Sequence, residues 1–158
     1  MYLVKSNTMQ TFLPYPDFEK SANVLDRQRL GKQRVEALQI LQTLKGISKG
    51  NGWKNHPAVI MWNGYEEALF LYEYAICNEW IGRGYRDTCL QKAANIMKVQ
   101  LPIISSVGVR YPYWFGSQDF HQSHKSNLLR KMPEHYRKIW PSLRDDLPYV
   151  WPGNRKEK

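Results

Sequence analysis

The chain has 158 residues, 42% of them apolar, and carries 23 Lys and Arg against 14 Asp and Glu, a net charge of +9 with a pI near 9.6. This is one domain of ordinary length with enough apolar surface for a core, which excludes a disordered chain and any need for metal or disulfide staples. No apolar run is long enough to span a bilayer, no secretory signal is visible, and two cysteines, Cys77 and Cys89, are too few for a disulfide framework, so a membrane role is not expected and a reducing cytoplasm is. A basic excess concerns partners rather than fold, and the expected partner is a polyanion, DNA or RNA first.

In chain order, residues 1–10 read as an N-terminal extension, 11–152 as a helical domain and 153–158 as a basic tail. Pro14 and Pro16 make 11–18 an extended lead-in, because each disfavours helix in the residue before it. A first helix is predicted from Asp17 or Ser21 to about Lys45, with Val24, Leu30, Leu38, Leu41 and Leu44 on a helical stripe, ended by Gly46 and the Gly50-Asn51-Gly52 cluster. A second helix is predicted from Asn55-His56-Pro57 to Gly82 or Gly84, with Trp62, Tyr65, Leu69, Tyr72, Ile76 and Trp80 at threes and fours. A third covers about Asp87 to Lys98. Residues 101–117 read as an irregular, aromatic-rich loop, Ser117 to Lys131 as a fourth helix, and Pro133 to about Ile139 as a short one. The segment Asp145 to Pro152 reads as extended and packed back by its aromatics. The fold class is all-α.

Four groups can carry chemistry. On the first helix, Arg29, Lys32 or Gln33, Glu36 and Gln39 share a face. Cations there can hold phosphates, amides can read base or sugar edges, and Glu36 can act as a general base or stabilise a cationic sugar, although Lys32 and Glu36 also form an ordinary i,i+4 pair. Gly31 in mid-helix costs about 1 kcal/mol relative to alanine, which predicts a close approach to the backbone. Asn55 and His56, beside Trp53 and Lys54, open a helix and can either cap it or bind phosphate. His121, His124, Lys125, Arg130 and Lys131 form a basic helix facing a phosphate backbone. Ligands for a zinc site are lacking at sensible spacing, so no metal is expected. Arg110 to Phe115 can cap the core or stack on bases.

The run Leu25 to Glu36 resembles the first helix of the pyrimidine dimer DNA glycosylases, the phage endonuclease V family. So do Trp53 to Val59 and the stretch Glu79 to Thr88, and the runs Ser123 to Lys131 and Asp145 to Pro152 resemble phage and bacterial relatives. The resemblance spans about residues 10 to 152. It implies a small all-α monomer that binds damaged duplex DNA, flips out a nucleotide and cleaves a glycosidic bond, with strand cutting by β-elimination in the best-studied members and no cofactor. It places the catalytic carboxylate at Glu36, DNA contacts at or near Gln28, Arg29 and Arg34, and a second phosphate-contacting segment at Lys125 and Arg130. In the family's type members the nucleophile is the α-amine exposed when the initiator Met is removed. Here residues precede the matching region, so Thr11 after processing, Lys32, or water activated by Glu36 are the alternatives. Two other readings remain open: a non-catalytic DNA-binding protein of the same fold, and N-glycosidic chemistry on a free nucleotide.

Overall fold

Asp17 starts the first helix in the computed structural model, which describes residues 9–47 and 54–153. The predicted extension up to residue 8, the Gly50-Asn51-Gly52 cluster, Trp53 and the tail from 154 lie outside the described residues. Seven helices and no strand are found among those described, in agreement with the all-α expectation.

The predicted first helix is two. Helix α1 spans Phe18–Val24, with the Asp17 carboxylate accepting from Lys20 N–H at 2.8 Å. The chain then turns extended at Leu25, and Asp26 caps α2, Arg27–Leu44. Burial alone would raise the Asp26 carboxyl, but the Tyr136 hydroxyl and Arg29 hold it below the usual carboxylate range. The Tyr136 hydroxyl donates to Asp26 Oδ1 at 2.5 Å and accepts from Asp26 N–H at 3.0 Å. A tyrosine 110 residues downstream therefore sets the break.

The second predicted helix is also divided. Helix α3 is the single turn Pro57–Ile60, and a turn closed by Gly64 at φ 86° separates it from α4, Glu66–Gly82. Such a φ is open to glycine at little cost. Helix α4 packs against α1, α2 and α5, Cys89–Met97, and buries Leu69, Phe70, Tyr72, Glu73, Ile76 and Cys77. Cys77 and Cys89 are free and buried. Helix α6, Gln118–Lys131, leads into the short α7, Pro133–Tyr136. The loop before α6 caps the core: Trp114 donates to Met61 O at 3.0 Å, and Tyr111 and Phe115 pack on Phe18.

The lead-in segment is the unusual element. Met9, Thr11, Phe12 and Leu13 are buried, lie outside any helix, and have no strand beside them among the described residues to take up their peptide groups. Unpaired buried peptides cost about 1–3 kcal/mol each, and side chains supply the missing partners. Phe12 N–H donates to Gln33 Oε1 at 3.1 Å and to the Tyr72 hydroxyl at 3.0 Å. Gln33 Nε2 donates to Gln10 O at 2.8 Å, and the Tyr149 hydroxyl donates to Thr11 O at 2.8 Å. Leu13 N–H donates to His124 Nδ1 at 2.8 Å, and His121 Nδ1 lies 2.7 Å from Leu13 O. Because His121 Nε2 accepts from Gly116 N–H, the His121 proton sits on Nδ1 and is given to Leu13 O. Burial pushes both histidines below their ordinary value, so both are neutral core groups.

Candidate active site

Helix α2 presents Arg27, Gln28, Gly31, Lys32, Val35, Glu36 and Gln39 to a cleft of about 570 Å³ closed on its far side by Trp80. The spacing repeats every three or four residues, so one face of the helix makes the floor. The face is turned one residue from the one predicted. Gln28 lines the cleft, whereas Arg29 turns aside to Asp26 at 3.2 Å and to the Met132 sulfur at 3.9 Å.

Glu36 is the chemically distinctive group. Burial pushes its carboxyl up to about 7, against the opposing pull of Lys32, the Gln10 peptide N–H and Lys131. Gln33 Nε2, one turn earlier, reaches Glu36 Oε1 at 3.2 Å. A carboxyl held in this way is half-ionised near neutral pH and can both accept and return a proton. Its position is set from below, since Gln33 also accepts the Tyr72 hydroxyl and Phe12 N–H in the core. Gln33 is thus an internal anchor and not exposed to a ligand.

Trp80 was predicted only as a core position of its helix, yet it forms the wall of the cleft. Its indole lies against Gly31, where an added Cβ would stand 3.0 Å from two ring carbons. The close approach that mid-helix glycine predicts is therefore made by the protein's own tryptophan. The ring is clamped: the Arg34 guanidinium lies 4.5 Å from its centroid, Tyr85 stacks at 4.3 Å, and Nε1–H donates to Arg86 O at 2.9 Å. Arg34 also pairs with the buried Asp87 at 2.6 Å, so it is committed to this wall.

The other predicted residues fall into separate places. Thr11 is fully buried, and its hydroxyl accepts from Trp62 Nε1–H at 3.2 Å. His121 and His124 do not face solvent; α6 turns them inward because the peptides of the lead-in need partners there. Arg130 donates to Asp145 O at 2.7 Å and Leu147 O at 2.8 Å, fastening the C-terminal segment to α6. The Lys125 ammonium sits 4.7 Å from the Tyr15 ring, and burial and Lys20 lower it. His56 caps α3 through Nδ1, which accepts from Ala58 N–H at 3.0 Å, while Asn55 is exposed beside it. Lys32 and Lys131 are the cations whose charges act on Glu36. Among the described residues no group of His, Cys, Asp or Glu is arranged to hold a metal, and no helix is long and apolar enough to cross a membrane.

Fold and cleft together define a basic helical domain that holds an acid–base carboxyl of near-neutral pKa among cations. A model of the pyrimidine dimer DNA glycosylase family matches residues 9–93, more than half of the chain, and the chain belongs to that family. No curated protein and no solved structure matches it. The matched stretch contains the lead-in, the floor of the cleft and Trp80; α6 and the C-terminal segment lie beyond it.

Proposed function

We propose that the protein is a cytoplasmic, monomeric DNA glycosylase that removes a damaged or modified pyrimidine from duplex DNA, with an associated strand-cutting step, and needs no metal or organic cofactor. The observation that carries this reading is Glu36, a partly buried carboxyl poised near pH 7 at the floor of a cation-bordered cleft. A base inside a duplex is out of reach, so the target nucleotide is extruded into the cleft. Arg27 and Lys32 border the cleft where the flanking phosphates would run. The ionised Glu36 takes a proton from water as that water adds to C1′ and the base departs, and its charge offsets the positive charge growing on the sugar. General-base help of this kind is worth about 10²–10⁴ in rate.

The test is base release from ultraviolet-irradiated duplex DNA and from duplexes with a panel of modified pyrimidines. The wild-type protein releases a base from at least one of them, and Glu36→Gln abolishes release while retaining DNA affinity. Full activity in Glu36→Gln would refute the mechanism. DNA affinity falls steeply as salt rises; affinity indifferent to salt would point to a free nucleotide instead.

A further inference from the structure

The Gln33 side chain stands between the lead-in and Glu36, and both ends of its amide are engaged. Oε1 takes the Phe12 peptide N–H at 3.1 Å and the Tyr72 hydroxyl at 2.5 Å. Nε2 gives one hydrogen to Gln10 O at 2.8 Å and the other to Glu36 Oε1 at 3.2 Å. A side-chain amide can in general be turned end for end, exchanging oxygen for nitrogen. Here the backbone forbids it. A peptide N–H only donates and a peptide oxygen only accepts, so Phe12 and Gln10 each admit one end of the amide and refuse the other. Gln33 is fully buried, so solvent does not stand in for either partner. The Tyr72 hydroxyl can give or take a hydrogen, and it follows the amide rather than orienting it. Gln10 acts twice: its peptide oxygen receives Gln33 and its peptide N–H reaches the Glu36 carboxyl. Its own side chain is steadied from α6 by Asn127 Nδ2 at 3.4 Å.

We propose that Gln33 is a positioning residue for Glu36: its amide, oriented by the peptides of Gln10 and Phe12, holds Glu36 Oε1 as a permanent acceptor, so that the proton this carboxyl exchanges is carried on Oε2. Its place in catalysis rests on the glycosylase reading, whereas its hold on the carboxyl does not. A donor fixed on one oxygen favours the ionised form, which is the form that acts as a base. It also leaves a single atom, Oε2, to accept the proton and to return it. The other charged and titratable groups that act on Glu36 or feel it are Lys32 on its own helix, Lys131 at the end of α6, Tyr72 on α4 and Tyr149 in the C-terminal segment. The two lysines act on it through charge. Burial pushes both tyrosines well above their ordinary value, so they stay neutral.

The experiment follows the Glu36 carboxyl carbon of the full chain by nuclear magnetic resonance through a pH titration without DNA, the signal being assigned by its loss in Glu36→Gln. In wild type the carboxyl titrates at about 7, and one of the two hydrogens of the Gln33 amide shifts at the same midpoint. In Gln33→Met the carboxyl loses its donor and becomes about tenfold weaker as an acid, a midpoint about one pH unit higher, as a lost hydrogen bond to a charged group predicts. Tyr72→Phe also loosens the core, but Phe12 N–H and Gln10 O still orient the amide, and the midpoint stays where it is in wild type. A merely structural role would move the two variants together. Three outcomes overturn the proposal: a wild-type Gln33 amide that ignores the titration, a midpoint unmoved in Gln33→Met, or an equal rise in Tyr72→Phe. The first is read on wild type and needs no variant to fold. Base release measured against pH on the same proteins keeps the two readings apart, because a carboxyl that shifts as expected in a protein releasing no base leaves the positioning role standing and removes the glycosylase reading.

Discussion

Replacing Gly31 by alanine sets two opposite effects against one another. In an open helix the change stabilises by about 1 kcal/mol, since alanine loses less backbone freedom on folding. In α2 the new Cβ stands 3.0 Å from two carbons of the Trp80 ring. Carbon atoms rest comfortably at about 3.5–4.0 Å, so the ring or the helix must yield by roughly half an ångström. Trp80 is poorly placed to yield, with Arg34 on its ring, Tyr85 stacked on it and its N–H tied to Arg86 O. Overpacking of this kind costs about 1–3 kcal/mol. The two effects leave a net loss of about 1 kcal/mol, and a melting temperature lower by about 2–4 °C for a chain of this size. Urea and thermal denaturation read it directly. In a Trp80→Leu background the clash is gone, and the same substitution stabilises; the double-mutant cycle then shows a coupling of about 1–3 kcal/mol. A Gly31→Ala protein more stable than wild type by the full helix-propensity gain would show that the ring moves freely, and the rigid wall would have to be abandoned.

Glu36 gives two pH dependences of known sign. Base release requires its ionised form, so the rate rises with pH up to about 7 and is level above; a rate that falls over that range would refute the base role. Stability runs the other way. The folded carboxyl holds its proton more tightly than the unfolded one, so stability declines between pH 4.5 and about 7. Glu36→Gln therefore gains on wild type across that window, keeps its advantage above it and has none below, as urea denaturation at a series of pH values will show. An advantage that shrank with rising pH would contradict the raised value. Gln33→Met removes the acceptor and donor shared by Phe12, Tyr72, Gln10 and Glu36. It costs about 2–4 kcal/mol by stranding buried polar groups and lowers base release with it; unchanged stability in urea would mean that the lead-in is not held by this side chain.

The all-α class, the irregular loop and the extent of α6 are legible in the sequence because each rests on local pattern, helical periodicity and the placing of prolines and glycines, whereas Glu36 is singled out by the family resemblance more than by its spacing. The break at Asp26 is not legible there, since the bond that secures it comes from Tyr136, far down the chain. Residues His121 and His124 mislead for a related reason. A helix with few apolar residues reads as solvated, but α6 turns its polar side chains inward to serve the buried lead-in, which belongs to no helix or sheet. Gln33 is misread in the same way. Gly31 carries a true signal whose object, Trp80, stands 49 positions away in the numbering (80 − 31) and is invisible until the fold places it.

The buried lead-in also bears on the order in which the protein comes together. Its peptide groups meet Gln33, Tyr72, His124 and Tyr149 at separations of 21, 60, 111 and 138 residues. Closing such long loops costs entropy before any contact rewards it, and contacts of this span are made slowly. Gln10, whose peptide N–H reaches Glu36, belongs to this lead-in, so the surroundings of Glu36 are tied to contacts that span the chain. The break between α1 and α2 and the seating of the lead-in both wait on residues that come after α5, Tyr136 and Tyr149 among them.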